Sequence, residues 1–397
     1  MSLTVKKLMA GLTVCFLAAQ VFAGGAKESK SSNTVKVAVM CPLSGDYARF
    51  GELYKASITA AMKAITGDGA LKDYTLEFEY VDDKGSTDGA PTAATYALDR
   101  YGCHVSIGHL LTTMILVSGP FFEEKEVPLL GIVSGPASVQ QGWNYLSIET
   151  GTDLDQADTL IDFLINDKKL DRIGLIHVNT EGGMSAANRI EETLKSKYGK
   201  AVLTRDAMSF EDTDFTAQVL KMKNAGVNAV IFWGLAQGPS NLCMRQIEQL
   251  WGKVPEEIYF CGGTSLAQNQ MIETWTGEDI IGVSFPVGYI PSNSDPRILR
   301  FIRDFKEADP LSQDPADVPA RVYDSVYHIV TALNSLGPQD VNAPDFTRKL
   351  NSALRKAKFT GVQGQFDFGA YDNGVGLGRM NIGEWTANYG QRKIFPR

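Results

Sequence analysis

The sequence predicts an α/β protein with two doubly wound lobes, in which helices cover both faces of a parallel sheet. Apolar, β-branched runs alternate with amphipathic helical stretches along most of the chain, the order expected of parallel strands joined by crossover helices. The pattern begins at Val35 and begins again at Ile173, with a strand as apolar as the first. A chain of 397 residues is also long for one domain. We therefore expect one doubly wound sheet from each half.

Strands are predicted where β-branched and other apolar residues form short continuous runs, and helices where apolar residues recur every three or four positions. In the first half the predicted strands span 35–40, 76–81, 105–108 and 128–132, and the predicted helices 54–65, 89–101 and 112–124. In the second half the predicted strands span 173–178, 202–208, 229–233 and 258–261, with helices at 184–197 and 215–225.

The C-terminal part is predicted to hold helices at 298–308, 320–336 and 346–357, then strands at 364–368 and 379–384 around a turn at Asp372-Asn373-Gly374. No low-complexity tract or long linker separates the two halves of the sequence. The chain is therefore expected to cross between the lobes more than once.

The first residues have the pattern of an export signal. An apolar stretch, 8–19, follows two lysines and is too short to span a bilayer. The small residue Ala23 ends a segment that resembles a signal-peptidase site. Cys15 has large neighbours, whereas a lipoprotein cysteine needs small ones. We expect a signal peptide at 1–23, a flexible leader at 24–33 and a soluble periplasmic product.

The composition is that of an ordinary globular protein, with 44% hydrophobic and 21% charged residues. A net charge of −8 argues against binding to nucleic acids or anionic membranes, which need a basic surface. Four cysteines follow the leader without any C-x-x-C spacing: Cys41, Cys103, Cys243 and Cys261. Four buried thiols and a single disulfide both fit this pattern.

No catalytic or metal-binding motif occurs in the sequence. The four histidines lack the spacing of a metal site, and neither a nucleophile elbow nor a phosphate-binding loop is present. The glycines at 374–378 follow no parallel strand, so they predict a turn and not a dinucleotide site. We therefore expect a protein that is not an enzyme and that needs no cofactor and no metal.

Polar residues follow two of the predicted strands at the points where helices begin. Thr112 and Thr113 come after the strand at 105–108, and Ser134 comes after the strand at 128–132. Hydroxyls and free backbone N–H groups at a helix N-terminus suit a carboxylate. These residues predict either a site for a ligand carboxylate or ordinary helix caps.

Five segments, in their order and spacing, also resemble a known family. They are Val37-Ala38-Val39-Met40-Cys41-Pro42-Leu43-Ser44-Gly45, Tyr80-Val81-Asp82-Asp83, Ile107-Gly108-His109-Leu110, Asp153-x-x-Gln156 and Ala320-x-x-Tyr323-Asp324-Ser325. In these segments the chain resembles the leucine/isoleucine/valine-binding proteins, solute receptors of ABC transporters with a type I periplasmic-binding fold. The resemblance implies two Rossmann-like lobes joined by a three-segment hinge, with 34–150 plus 284–361 in lobe 1 and 151–283 plus 362–397 in lobe 2.

The resemblance also implies a ligand site in the cleft between the lobes. In lobe 1 a carboxylate position, the loop beside it and an aromatic contact are expected at Leu111, Thr112, Thr113, Ser134, Gly135, Pro136 and Phe50. In lobe 2 the expected contacts are Glu181 and Gln237, which fall near positions that close over the ligand, with Trp233 as apolar surface and Thr264 in the segment of the family's acid.

Three departures from the family pattern bear on the ligand. The first-lobe disulfide is absent, and Glu149 stands where an arginine usually precedes the T-x-x-D segment. The segment 260–265 has no acid to pair with an amino-acid ammonium, and a buried ammonium without a partner is costly. Either Glu181 or Asp46 supplies the counter-ion, or the ligand is a carboxylate without an ammonium, such as an aromatic or keto acid.

The resemblance thus implies a monomeric extracytoplasmic receptor that captures a branched-chain or aliphatic amino acid, or a related small carboxylate. It would deliver this ligand to the membrane permease of an ABC importer. A ligand-sensing receptor of the same fold, acting on a signalling partner, is the alternative.

Overall fold

The computed structural model describes residues 33–209, 211–234, 239–254, 257–267, 280–291, 294–311, 314–378, 380–387 and 390–395. The predicted signal peptide and nearly all of the predicted leader lie outside these residues, and both stay predictions. Within the described part of the chain, no helix is long and apolar enough to cross a membrane.

The first sheet contains five parallel strands in the order β2-β1-β3-β4-β5. They are β1 (Thr34–Cys41), β2 (Thr75–Asp82), β3 (Val105–Ile107), β4 (Leu129–Gly131) and β5 (Leu146–Ile148). Side chains alternate along β1, so that Val35, Val37 and Val39 enter one core and Ala38 and Met40 the other. A strand buried on both faces is typical of a parallel sheet between two helical layers.

Helices cover both faces of this first sheet. One layer holds α1 (Ala48–Gly67), which packs on two helices from late in the sequence, α8 (Pro296–Ala308) and α9 (Asp317–Leu336). The other layer holds α2 (Gly89–Thr95), continued by a π-helical turn at Tyr96–Tyr101, and α3 (Thr112–Lys125). The short α10 (Phe346–Leu354) packs against α9.

The second sheet has the order β14-β13-β10-β9-β8-β6-β7. Its parallel strands are β6 (Ile173–Val178), β7 (Thr204–Met208), β8 (Ala229–Trp233), β9 (Tyr259–Gly262) and β10 (Ser284–Val287). Two antiparallel strands, β13 (Asn381–Thr386) and β14 (Gly390–Phe395), complete one edge. A separate hairpin pairs β11 (Lys358–Thr360) with β12 (Gln365–Asp367).

Two helical layers cover the second sheet as well. One layer holds α4 (Asp153–Asp162), continued by a π-helical turn at Phe163–Lys168, and α5 (Glu181–Tyr198). The other holds α6 (Thr216–Asn224) and α7 (Pro239–Leu250). The predicted doubly wound α/β class is therefore confirmed, whereas the limits of the two lobes stay predictions.

Several element boundaries differ from the predicted ones. The strands at 173–178 and 229–233 occur as predicted, but α1 begins at Ala48 and not at 54, and the helix predicted at 89–101 changes to π geometry at Tyr96. The sequence analysis missed β5, α4, α7, β10, β11 and β14. Strands of three or four residues, such as β5 and β10, are too short to show a periodicity.

No disulfide joins the four cysteines, because Cys41, Cys103, Cys243 and Cys261 are all free and buried. They belong to four different hydrophobic clusters of the core. Burial raises the pKa of each thiol, so these cysteines are packed as small apolar side chains. Of the two possibilities that the sequence leaves open, the structure has four buried thiols.

Gly51 in α1 lets the loop after β1 lie against the helix, since a Cβ at this position would stand 2.3 Å from the carbonyl oxygen of Pro42. We expect Gly51→Ala to lower the free energy of unfolding by about 1–3 kcal/mol, because the loop must move. The control is Gly182→Ala in α5, where a Cβ meets nothing within 4 Å and Ala favours the helix by up to ~1 kcal/mol. Urea denaturation measures both, and equal effects would contradict this account of Gly51.

Candidate functional site

Each parallel sheet has one point where the strand order reverses, and the loops there diverge to leave a crevice. In the first sheet the reversal lies between β1 and β3, and in the second between β6 and β8. The residues that follow these strands are therefore the first places to look for a ligand site. Most of the predicted contacts follow the reversal strands or their neighbours β4 and β9.

The loop after β1 is held by Asp82, the last residue of β2. Its carboxylate accepts hydrogen bonds from the backbone N–H of Leu43 at 2.9 Å, the hydroxyl of Ser44 at 2.6 Å and the N–H of Lys84 at 2.9 Å. Burial alone would raise the pKa of Asp82, but these hydrogen bonds outweigh it and lower that pKa. The loop leads into α1, where Phe50 is half-buried.

The N-terminus of α3 lies at the end of β3 and has no side-chain cap. Leu111 occupies the N-cap position, and no side chain accepts a hydrogen bond from the first N–H groups of the helix. Thr112 is half-buried and Thr113 is exposed. Since neither threonine caps the helix, the positive end of its dipole and its free N–H groups remain available for an anion.

The loop after β4 contacts this helix end. A Cβ at Gly135 would lie 2.5 Å from the hydroxyl oxygen of Thr112, so only glycine allows the two segments to come this close. Ser138 donates from its hydroxyl to the Gly135 carbonyl at 2.7 Å, and Pro136 is buried. The structure thus brings together Thr112 and Gly135, which the sequence analysis assigned to one site.

Two further hydrogen bonds fix the loop after β4 from outside. Arg321 of α9 is 6% exposed and donates from Nη1 to the carbonyl of Ile132 at 2.8 Å, and it also pairs with Asp317. The backbone N–H of Asp153, the first residue of α4, donates to the carbonyl of Ser134 at 2.9 Å. The loop is therefore held between the helices of both sheets.

A buried hydrogen-bonded pair lies directly after β2 and β3. His109 follows β3, and its Nδ1 lies 2.7 Å from a carboxylate oxygen of Asp83, with both side chains fully buried. The other carboxylate oxygen of Asp83 accepts from the N–H of Gly85 at 2.9 Å. Asp83 is therefore already engaged and is no free counter-ion for a ligand.

In the second sheet, α5 follows β6 and begins at Glu181. Thr180 caps this helix, accepting from the N–H of Gly183 at 3.2 Å. The side chain of Glu181 and the whole of Gln237 lie outside the described part of the chain. Trp233 is only 7% exposed, belongs to the core beneath α4 and α5, and has its ring against Gly263.

Thr264 follows β9 and is tied to the first sheet through a chain of hydrogen bonds. Its backbone N–H donates to Oε1 of Gln156 at 3.1 Å, and Nε2 of Gln156 donates to Asp153 at 3.0 Å. The N–H of Asp153 in turn donates to Ser134. A continuous series of hydrogen bonds therefore connects the loop after β4, the start of α4 and the turn after β9.

The sequence analysis did not assign Gln156 and Arg321 to the site. Gln156 lies in the D-x-x-Q segment that the resemblance singled out, and this spacing was the available signal. Arg321 had no signal, because a lone arginine in a helix is usually exposed. In the structure both residues bind the loops that carry the predicted contacts.

The described residues contain no group of three or more His, Cys, Asp or Glu side chains placed to hold a metal ion. A groove of about 570 Å³ lies elsewhere, between α9 and α10, and is lined by Lys349, Lys356 and Lys358 with small side chains. None of the loops at the reversal points lines this groove. The candidate site is therefore the set of strand-end loops, whose donors suit a carboxylate.

The family profile described as periplasmic binding protein matches residues 34–390. The Leu/Ile/Val-binding protein homolog 2 of Brucella abortus is 24% identical over 369 residues, which cover 92% of each chain.

Solved structures share the fold at low sequence identity. A leucine-binding protein from Thermotoga maritima has a TM-score of 0.70 and 22% identity, covering 91% of this chain and 97% of its own. A solute-binding protein of an ABC transporter from R. palustris, crystallised with benzoate, has a TM-score of 0.69 and 15% identity, covering 91% and 95%.

Gln156 is 1% exposed, so its truncation would remove the hydrogen-bond partner of two half-buried groups, the N–H of Thr264 and the carboxylate of Asp153. We expect Gln156→Ala to lower the free energy of unfolding by about 1–3 kcal/mol, the usual cost of unpaired buried groups. Gln141→Ala is the control, because Gln141 is exposed and makes a single bond to Ala137, and it should cost less than about 0.5 kcal/mol. If urea denaturation shows that Gln156→Ala lowers the free energy of unfolding no more than Gln141→Ala, the hydrogen bonds of Gln156 do not stabilise the fold as described.

Proposed function

This chain belongs to the periplasmic binding protein family, and from that premise we propose that it is the extracytoplasmic receptor of an ABC importer. It binds a small carboxylate between its two sheets and delivers it to a membrane permease. It does no chemistry on the ligand, works as a monomer and is exported by its N-terminal signal.

The observation that carries this proposal is the uncapped N-terminus of α3 beside Gly135. Free N–H groups, the helix dipole and the hydroxyl of Thr112 converge there, and a carboxylate is the common metabolite group that satisfies all three. We assign the carboxylate to Thr112, Thr113 and Ser134. Phe50 and Leu111 provide adjoining apolar surface.

Two ligand classes fit this half-site. Relatives named for leucine, isoleucine and valine support an aliphatic amino acid, and the neighbour crystallised with benzoate supports a carboxylate without an ammonium. In this chain Thr264 stands in the segment where the family has its acid, and its N–H is engaged by Gln156. An amino acid therefore needs Glu181 or Asp46 as its counter-ion.

We expect at least one of leucine, valine, benzoate and a branched keto acid to raise the melting temperature of the purified protein. A ligand at a hundred times its dissociation constant adds about 2.7 kcal/mol of stability. Mass spectrometry of small molecules released on denaturation identifies a ligand that co-purifies. No shift with any of the four, together with no released carboxylate, would contradict the proposed ligand class.

Thr112→Val should weaken a carboxylate ligand by roughly 1–3 kcal/mol, because it removes a hydroxyl that donates to a charged group. Isothermal titration calorimetry with the ligand found above measures the change. The matched control is Thr66→Val, an exposed position of α1 that lies about 24 Å along the helix from Phe50. Equal affinities of both variants and the parent would refute the placement of the carboxylate.

A further inference from the structure

The segment between β12 and β13 links a hairpin that packs against α9 to the second sheet. β12 ends at Asp367 in that hairpin, and β13 begins at Asn381. On its way the chain runs along β5, the edge strand of the first sheet. The N–H of Ile148 donates to the carbonyl of Gly374 at 2.8 Å, and the N–H of Gly376 donates to the carbonyl of Ile148 at 3.4 Å. The β12–β13 segment is therefore one of the connections between the two sheets, and it is paired with the first of them.

This segment contains the turn that the sequence predicts at Asp372-Asn373-Gly374, and Asn373 is exposed. Gly374 has a φ of +79°, a conformation that glycine adopts without strain. Asn373 is the only asparagine of the sequence that is followed directly by glycine. Asparagine is thermally labile, because its side-chain amide can react with the nitrogen of the next peptide group. A following glycine has no Cβ to obstruct that approach, so the reaction is least hindered at Asn373.

A hydrogen bond holds the side chain of Asn373 in a position that favours this reaction. Its Oδ1 accepts from the N–H of Val375 at 3.2 Å, the bond of an Asx turn. The ring that this bond closes includes the backbone nitrogen of Gly374, so Cγ of Asn373 is kept close to that nitrogen. The bond also draws electron density from the side-chain carbonyl and makes Cγ a better electrophile.

We propose that Asn373 is a site of spontaneous deamidation that lengthens the β12–β13 segment and releases it from β5. The backbone nitrogen of Gly374 loses its proton and attacks Cγ of Asn373. A bond forms between these two atoms, the bond from Cγ to Nδ2 breaks, and Nδ2 leaves with the proton as ammonia. The product is a five-membered succinimide ring, and no oxidant or reductant takes part.

Water then opens the succinimide at one of its two carbonyl carbons. Opening at Cγ leaves an ordinary aspartyl linkage at this position. Opening at the main-chain carbonyl carbon leaves an isoaspartyl linkage, in which the main chain passes through Cβ and Cγ and is longer by one methylene group. Both products carry a carboxylate in place of the amide, so the turn gains a negative charge in either case.

The contacts around Gly374 leave no room for the longer main chain. The residue is buried, and a Cβ there would stand 2.2 Å from Nη1 of Arg355 and 2.5 Å from the carbonyl oxygen of Leu146. Arg355 also fixes the turn, because it donates to the carbonyls of Leu146 at 2.9 Å and Asp372 at 2.6 Å. An added methylene group before Gly374 therefore displaces the segment from β5 and breaks its hydrogen bonds with Ile148.

The first test follows the ligand-free full chain during incubation at mildly alkaline pH, where the attacking nitrogen loses its proton more readily. Peptide mapping by mass spectrometry should show NH2 replaced by OH at Asn373, in both an aspartyl and an isoaspartyl peptide. Asn342 is the internal control, because it is exposed but is followed by alanine, and it should stay unmodified. Asn373→Gln should abolish the change, since its longer side chain would have to close a six-membered ring. No conversion at Asn373, or equal conversion at Asn342, would overturn the proposal.

A second measurement tests the effect on the β12–β13 segment. Hydrogen exchange at the amide of Ile148, which donates to Gly374, should be faster in the isoaspartyl form than in the unmodified chain. Asn373→Asp is the matched control, because it adds the same charge without lengthening the main chain, and it should keep the slow exchange. Equal exchange at Ile148 in the isoaspartyl form and the unmodified chain would overturn the proposed release from β5. No ligand is added in either test, so neither outcome bears on the proposed receptor function.

Discussion

The hydrogen bonds from Val362 and Gln363 to Asp324 are the constraint on which the rest of the structure depends. Both N–H groups belong to the turn between β11 and β12, and a turn cannot pair all of its own backbone groups as strands or helices do. A buried N–H without an acceptor is costly, so a side chain must accept in its place. The carboxyl of Asp324 accepts two backbone N–H groups of the turn between β11 and β12. In the same turn, Nε2 of Gln363 donates to the carbonyl of Glu149, which follows β5.

The geometry of the candidate site depends on the segment that leads from β5 to α4. The segment between β5 and α4 ends in the capping box of Thr152 and Asp155, which fixes where α4 begins. Asp153 in that first turn then binds the loop after β4, and Gln156 binds the turn after β9. The start of α4 therefore positions one loop of each sheet. A movement of the segment before α4 would displace the loop after β4 and the turn after β9 together.

The sequence predicted what depends on burial and periodicity. Strands that are buried on both faces, such as β6 and β8, form continuous apolar runs and were found to the residue. The threonines after β3 and the serine after β4 were predicted, from their place at strand ends, as either a carboxylate site or helix caps. The structure has Thr112 beside Gly135, and the carboxylate site stays a prediction. Arg321 and the partnership of Glu149 with His328 could not be predicted, because they join residues far apart in sequence by tertiary contacts alone.

The buried position of Glu149 also limits which acids could pair with a positively charged ligand group. The resemblance implies an arginine at the position of Glu149, but Glu149 is hydrogen-bonded to His328 and is fully buried.

The other acids at the strand ends are engaged as well, since Asp82 holds the loop after β1, Asp83 pairs with His109 and Asp153 binds Gln156. A carboxylate that already has its hydrogen bonds gains little from a ligand ammonium and would first have to break them. An amino-acid ligand would thus depend on Asp46, which is exposed on the loop after β1, or on Glu181 at the start of α5. A ligand without an ammonium would need neither.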